Sequence, residues 1–273
     1  MPPAPSSDSD RRAARLIGIL FLLTFVTSIG AYALYGSVLN DTRWVVEGAS
    51  DTEIKLGALL EVLLVIFNIA TAVVLYPVLR RSQPTLALGW VASRIVESTL
   101  IAVGIVSLLS VVTLRGEGVG GEGALISSAQ GFVAAHDWTF LLGPGFCVAF
   151  GNGLLLGYAM LRSGLLSRRL AAIGLLGGLG VLVNATGALF GGWEQMSSIG
   201  VLLSLPEMIW EAGVLGVYLI VKGFRDPAAA TEDGPVSPTG ARQWPSADRR
   251  NPVPIGPTNP QHDRVPAGVH KED

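Results

Sequence analysis

Residues 56–79 read LGALLEVLLVIFNIATAVVLYPVL, and they carry a single charged group, Glu61. A run of that length matches the roughly 20 apolar residues needed to cross about 30 Å of hydrocarbon. It has neither the alternation of a half-buried strand nor the polar face of a surface helix. Comparable runs recur on both sides. They predict spans at about 16–35, 56–79, 86–114, 132–161, 170–190 and 200–221. The sequence therefore predicts an all-α polytopic membrane protein, a bundle of six transmembrane helices.

The whole-chain figures agree. Half of the 273 residues are apolar, 15% are charged, and the mean hydropathy is +0.51. A soluble domain of this size carries more charge on its surface. The net charge of −2 argues for neither a nucleic acid nor an acidic partner, so the expected partner is the lipid bilayer. Cys147 is the only cysteine and has no internal disulfide partner, which makes it a small core residue of an apolar helix. Residues 1–10 are polar, and 226–273 are rich in proline and glycine and almost free of aliphatic runs. Both ends are expected to be disordered, the second as a cytoplasmic tail.

Basic residues in the short connections alternate in phase with the spans. Arg11, Arg12, Arg15, Arg80, Arg81, Arg162, Arg168, Arg169, Lys222 and Arg225 fall on one side; Arg43, Lys55 and Arg115 fall on the other. The positive-inside rule then puts both termini in the cytoplasm. The opening basic cluster, apolar stretch and Ala31-Tyr32-Ala33 also resemble a signal peptide, but the apolar stretch is long for one, which favours a retained helix. Gly116 to Gly123 lacks the Gly-Lys-Ser/Thr of a phosphate-binding loop and is expected to be a flexible linker. Trp44, Trp138 and Trp193 are expected at the outer interface.

An ionisable side chain at membrane depth costs roughly 2.5–3.5 kcal/mol, so each needs a reason. Glu61, Arg94, Glu97, Glu207 and Glu211 are such residues. Glu61 and Asn68 share a face of span two. Arg94, Glu97 and Ser98 lie together on span three, with Trp90 one turn away. Ser204, Glu207, Glu211 and Tyr218 form a stripe on span six, and Thr24, Thr27, Ser28 and Tyr35 form one on span one. These faces are expected to turn inward. At 1.5 Å of rise per residue, Glu97, Asn68 and Glu211 fall near the midplane, Arg94 about 6 Å toward the cytoplasm, and Glu207 and Glu61 roughly 6–9 Å toward the outside. Arg94 is expected to pair with Glu97 or Glu211. Four carboxylates against one arginine leave an acidic excess.

Arg94, Glu97, Glu211, Glu207, Glu61 and Asn68 are thus candidates for a ligand or ion site. The charges allow two roles: a polar path for a small solute, proton or cation, or a structural brace in a non-catalytic sensor or assembly protein. Enzymatic motifs are missing, since there is no H-E-x-x-H, no cysteine pair and no G-x-S-x-G. No catalytic residue, metal site or cofactor is expected, and an intramembrane enzyme has the least support. His136-Asp137 is expected to cap the outer end of span four, with a hydrogen-bonded acid/base pair as the alternative.

Spans four and five carry small residues at four-residue spacing: Ala149, Gly153 and Gly157 on one, Gly174 and Gly178 on the other. Gly177, Gly180, Asn184, Gly187 and Gly191 align on a second face of span five. Such faces allow close helix packing, within the bundle or between copies of the chain in a homo-oligomer. Gly143-Pro144-Gly145 is expected to kink span four.

Three segments resemble a known family. They are Leu75-Tyr76-Pro77-Val78-Leu79-Arg80-Arg81 with Ala87-Leu88-Gly89-Trp90 through Glu97, Ser167-Arg168-Arg169-Leu170-Ala171-Ala172-Ile173-Gly174, and Leu205-Pro206-Glu207 through Phe224. Together they resemble the bacterial family catalogued as domain of unknown function 4386, over roughly residues 11–225. The resemblance implies a bacterial multi-helix membrane protein and supplies no mechanism; the expected location is the plasma membrane.

Overall fold

The structure, a computed structural model, describes residues 8–40, 43–47, 51–117 and 121–225. The expected tail at 226–273 lies outside them, as do residues 1–7. The described chain is all-helical, and six helices are long and apolar enough to cross a membrane. They are span one (Asp8–Asn40), span two (Asp51–Leu79), span three (Pro84–Glu117), span four (Glu122–Ser163), span five (Arg168–Leu189) and span six (Ser198–Lys222). In hydrocarbon every backbone N–H and C=O must be satisfied internally, which a helix does along its whole length.

The spans outrun their apolar runs. Span one starts at Asp8, so Asp8, Ser9 and Asp10 are helical where disorder was expected. Arg81, on the connection between spans two and three, reaches Asp10 at 2.9 Å. Span four begins at Glu122 rather than near Phe132, because Ala129 and Val133 pack with Ala31, Tyr35, Val45 and Val111 at that end of the bundle. The expected glycine linker is shortened accordingly. Span three runs through Gly116 and Glu117, span four starts one residue after Gly121, and residues 118–120 are outside the description. A short helix, Trp44–Glu47, sits between spans one and two.

The connections use ordinary stop and start chemistry. Pro84 opens span three, where its missing N–H costs nothing. Gly164 ends span four with φ +70°, a conformation that suits glycine. The Ser167 and Ser197 hydroxyls accept the Leu170 and Gly200 amides at 3.4 Å, capping spans five and six.

Pro144 does not break span four. It lies in a widened, π-helical stretch from Leu141 to Cys147, followed by another from Ala149 to Leu156, and the Val148 N–H reaches back five residues to the Gly143 carbonyl. A proline ring crowds the carbonyl four residues before it, and wider turns relieve that crowding. Span six repeats the pattern: Pro206 is followed by a π-helical stretch from Ile209 to Tyr218.

Span one packs on spans two and six, span three on two and four, and span five on four and six. Large apolar residues face outward, including Phe190 (83% exposed), Leu202 (69%) and Val26 (67%), which a lipid environment covers. One apolar core holds Phe21, Leu75, Leu79, Trp90, Met160 and Trp210, and another gathers around Tyr35, Trp44, Ile54 and Leu108 at the opposite end. Trp44 belongs to that second core and is buried rather than turned outward. It is 5% exposed and lies beneath the Arg115 guanidinium, 6.0 Å from its ring.

The small-residue faces of spans four and five meet each other. A Cβ at Gly153 would overlap the Gly178 backbone, and one at Gly157 would lie 3.1 Å from the Leu175 nitrogen. Gly174 and Gly177 admit Trp210 and the Glu207 backbone of span six. The glycine seam is internal to the chain, and it brings spans four, five and six together around the polar centre.

Candidate functional site

Between the two apolar cores lies a layer of polar groups. Span three supplies Arg94 and Glu97, both buried, whose side chains pair at 2.9 Å. The three-residue spacing puts them on one face of the same helix. Span two closes the network. Asn68 Nδ2 donates to Glu97 Oε1 at 3.1 Å, while Arg94 Nη2 donates to Asn68 Oδ1 at 2.7 Å and to Thr71 Oγ1 at 3.3 Å. The guanidinium also lies 5.7 Å from the Phe21 ring centroid of span one. Of the two carboxylate partners expected for Arg94, Glu97 takes the bond.

Glu211 has a different partner. The Asn152 amide of span four donates to Glu211 Oε1. Asn152 is itself held on both sides, since Trp90 Nε1 donates to its side-chain oxygen at 2.9 Å and Trp210 Nε1 to its backbone carbonyl at 2.9 Å. Asn152 thus ties spans three, four and six, and it is 1% exposed. Four residues before Glu211, Glu207 is 3% exposed, and neither of its carboxylate oxygens has a hydrogen-bond partner.

These groups surround one cavity of about 220 Å³. Asn68, Arg94, Glu97, Glu207 and Glu211 all line it. Thr24 and Ser28 of span one, Asn184 of span five and Ser204 of span six add to its polar wall, and Phe25, Phe140 and Met208 are among its apolar lining. The cavity reaches Gln195 and Met196 in the turn between spans five and six, where Met196 is half exposed. Of the expected stripe on span six, Tyr218 alone leaves the cavity and packs against the core around Phe21 and Trp90. The π-helical turns between Glu211 and Tyr218 change the angular step per residue and carry Tyr218 off the line.

Glu61 is the candidate that stands apart. Tyr35 Oη donates to its Oε2 at 3.1 Å, and His136 Nε2 lies 3.4 Å from its Oε1. His136 is 4% exposed, with its ring edge-on to Tyr35 and stacked on Phe140. It therefore points into the bundle and does not cap the helix end; Asp137, at 3.8 Å from Nδ1, is beyond hydrogen-bond reach. This cluster lines a much smaller space of about 10 Å³.

The chain matches the family model described as Domain of unknown function (DUF4386) over residues 16–223. The chain belongs to this family. Within DUF4386 it is a multi-pass membrane protein, and the matched range contains every polar group that lines the two cavities. No curated protein and no solved structure matches the chain.

Asn152 and His136 were missed as inward groups. A lone asparagine in the apolar run Ala149 to Leu156 was the available signal, since an unpaired amide in hydrocarbon is costly. His136 sits at the edge of its apolar run, so sequence alone placed it at the interface. Among the described residues, no group of three or more His, Cys, Asp or Glu is arranged to hold a metal ion.

Proposed function

We propose that this member of DUF4386 is a carrier or permeation path for a small solute, proton or cation, with Arg94, Glu97 and Glu211 at the binding position and Asn68 and Glu207 beside them. The observation that carries this reading is the shared cavity. Arg94, Glu97 and Glu211 come from two helices yet line a single space at the level of the polar layer. A set of purely structural charges would close on itself, as Arg94, Glu97 and Asn68 do. Glu207 and Glu211 are not neutralised that way, and they border open volume. The basic connections support an orientation with both ends on the cytoplasmic side of the plasma membrane, so that the cavity reaches toward the outer face at Gln195 and Met196.

The test is solute flux in proteoliposomes containing the full chain. Glu97→Gln and Glu211→Gln are expected to reduce flux strongly; unchanged flux for every solute and ion tried sinks the transport reading. The closed Arg94–Glu97–Asn68 network favours a second reading, a non-catalytic sensor or assembly protein whose charges fix helix register. In that case Arg94→Gln lowers thermal stability and no flux is found in the parent protein.

A further inference from the structure

We infer that the cavity accepts a small organic cation, an aliphatic amine, with Glu207 and Glu211 as its charge partners. This rests on the reading that the cavity holds a solute and names the chemistry of that solute.

The argument begins with charge. Three carboxylates and one guanidinium line the cavity, and the guanidinium donates through Nη1 and Nη2 to Glu97, Asn68 and Thr71, leaving its buried Nε without a partner. Glu211 receives only the Asn152 amide. Glu207 receives nothing: both oxygens are buried without a hydrogen-bond donor. A buried acceptor without a donor is costly, and a buried carboxylate more so. The missing partner must bring N–H or O–H donors, and positive charge suits it best. An anion would meet the two least satisfied carboxylates of the bundle.

Size and lining narrow the class. The cavity, about 220 Å³, exceeds the roughly 30 Å³ that one water occupies in the liquid by several-fold. A bare inorganic cation would need a close shell of oxygen ligands. It would also leave most of this volume unfilled. Much of the wall is instead apolar or aromatic. Phe25 and Phe140 contribute aromatic surface of a kind that attracts an organic cation, and Met196 and Met208 contribute adaptable thioether surface. Such a wall suits carbon chains as well as charge.

The experiment measures binding to the purified full chain in detergent by isothermal titration. The probes are butylamine, 1,4-diaminobutane, butyrate, 1-butanol, sodium and potassium. At least one amine is expected to bind, with the other probes silent. Glu207→Gln is expected to weaken amine binding by about tenfold or more. Glu53→Gln, on the exposed start of span two, should leave it unchanged. Binding of butyrate or butanol as tight as that of the amines, or full amine affinity in Glu207→Gln, overturns the assignment. Because the probe series runs on the parent protein, a Glu207 variant that fails to fold leaves the comparison intact. Flux of a neutral or anionic solute without amine binding overturns the amine and leaves the transport reading standing; no flux and no binding of any solute overturns both.

Discussion

Two buried glutamate sites lie side by side in this bundle and behave differently. Around Glu207 and Glu211 there is volume and unmet acceptor capacity. Around Glu61 there is almost no space, and a tyrosine hydroxyl and an imidazole nitrogen are turned toward the carboxylate. The two spaces share a wall that includes Leu64, Ile101 and Pro144, so they lie next to each other in the bundle. What distinguishes a place for a solute from a brace is therefore not the presence of a charge at depth. It is whether the protein supplies the partners and fills the room.

The largest effect expected from breaking this contrast is at Arg94. Arg94→Gln leaves Glu97 buried without its cation, and should cost about 3–5 kcal/mol of stability, seen as a lower unfolding midpoint in denaturant. If the midpoint barely moves, the Arg94–Glu97 pair is not a brace at all. Next comes Tyr35→Phe, which removes the hydroxyl donor to Glu61. It should cost about 1.5–3 kcal/mol while flux through the other site stays at the parent level. Loss of flux in that variant would erase the distinction between the two sites. Val181→Phe addresses the other side, because Val181 lines the large cavity and a phenyl ring would occupy its space. Flux should fall sharply with a stability change below about 1.5 kcal/mol, and retention of full flux would show that the volume is not used. The smallest effect belongs to Glu61→Gln, whose amide oxygen can still accept from Tyr35. A change under about 1 kcal/mol is expected by thermal unfolding, and a larger loss would mean that the full negative charge is required there.

Much of this was legible in the sequence, and the particular residues say why. The six spans follow from apolar length alone, because hydrocarbon thickness sets one scale for all of them. Arg94 and Glu97 were readable as a pair, since their separation on one helix is fixed by helical geometry. The glycine faces were readable as close-packing surfaces, though not which face would meet which. Long-range partners were not readable. Nothing local tells that Glu211 takes Asn152 across the bundle, or that Glu61 takes His136 of span four. Tyr218 was misplaced because its position depends on wide turns that run from Ile209 to Tyr218, and Pro206 signals a local disturbance without telling how far such turns extend. The extra length of span four was hidden for a similar reason: Glu122 to Gly131 is polar enough to read as a loop, and it is helical through packing at the end of the bundle.

The spacing of Arg94 and Glu97 has one more consequence, which concerns biogenesis. The two groups sit on the same helix, so their bond can form as soon as that helix winds, without waiting for a neighbour to supply a partner. Span three therefore carries its own neutralisation through the insertion machinery. Span six does not: Glu207 and Glu211 are both acidic, and no basic residue precedes Lys222 on that helix. Span six is also synthesised last of the six. By then spans three and four are made, and Asn152 can receive the Glu211 carboxylate as it arrives. The order in which the helices leave the ribosome thus suits the order in which their charges find partners.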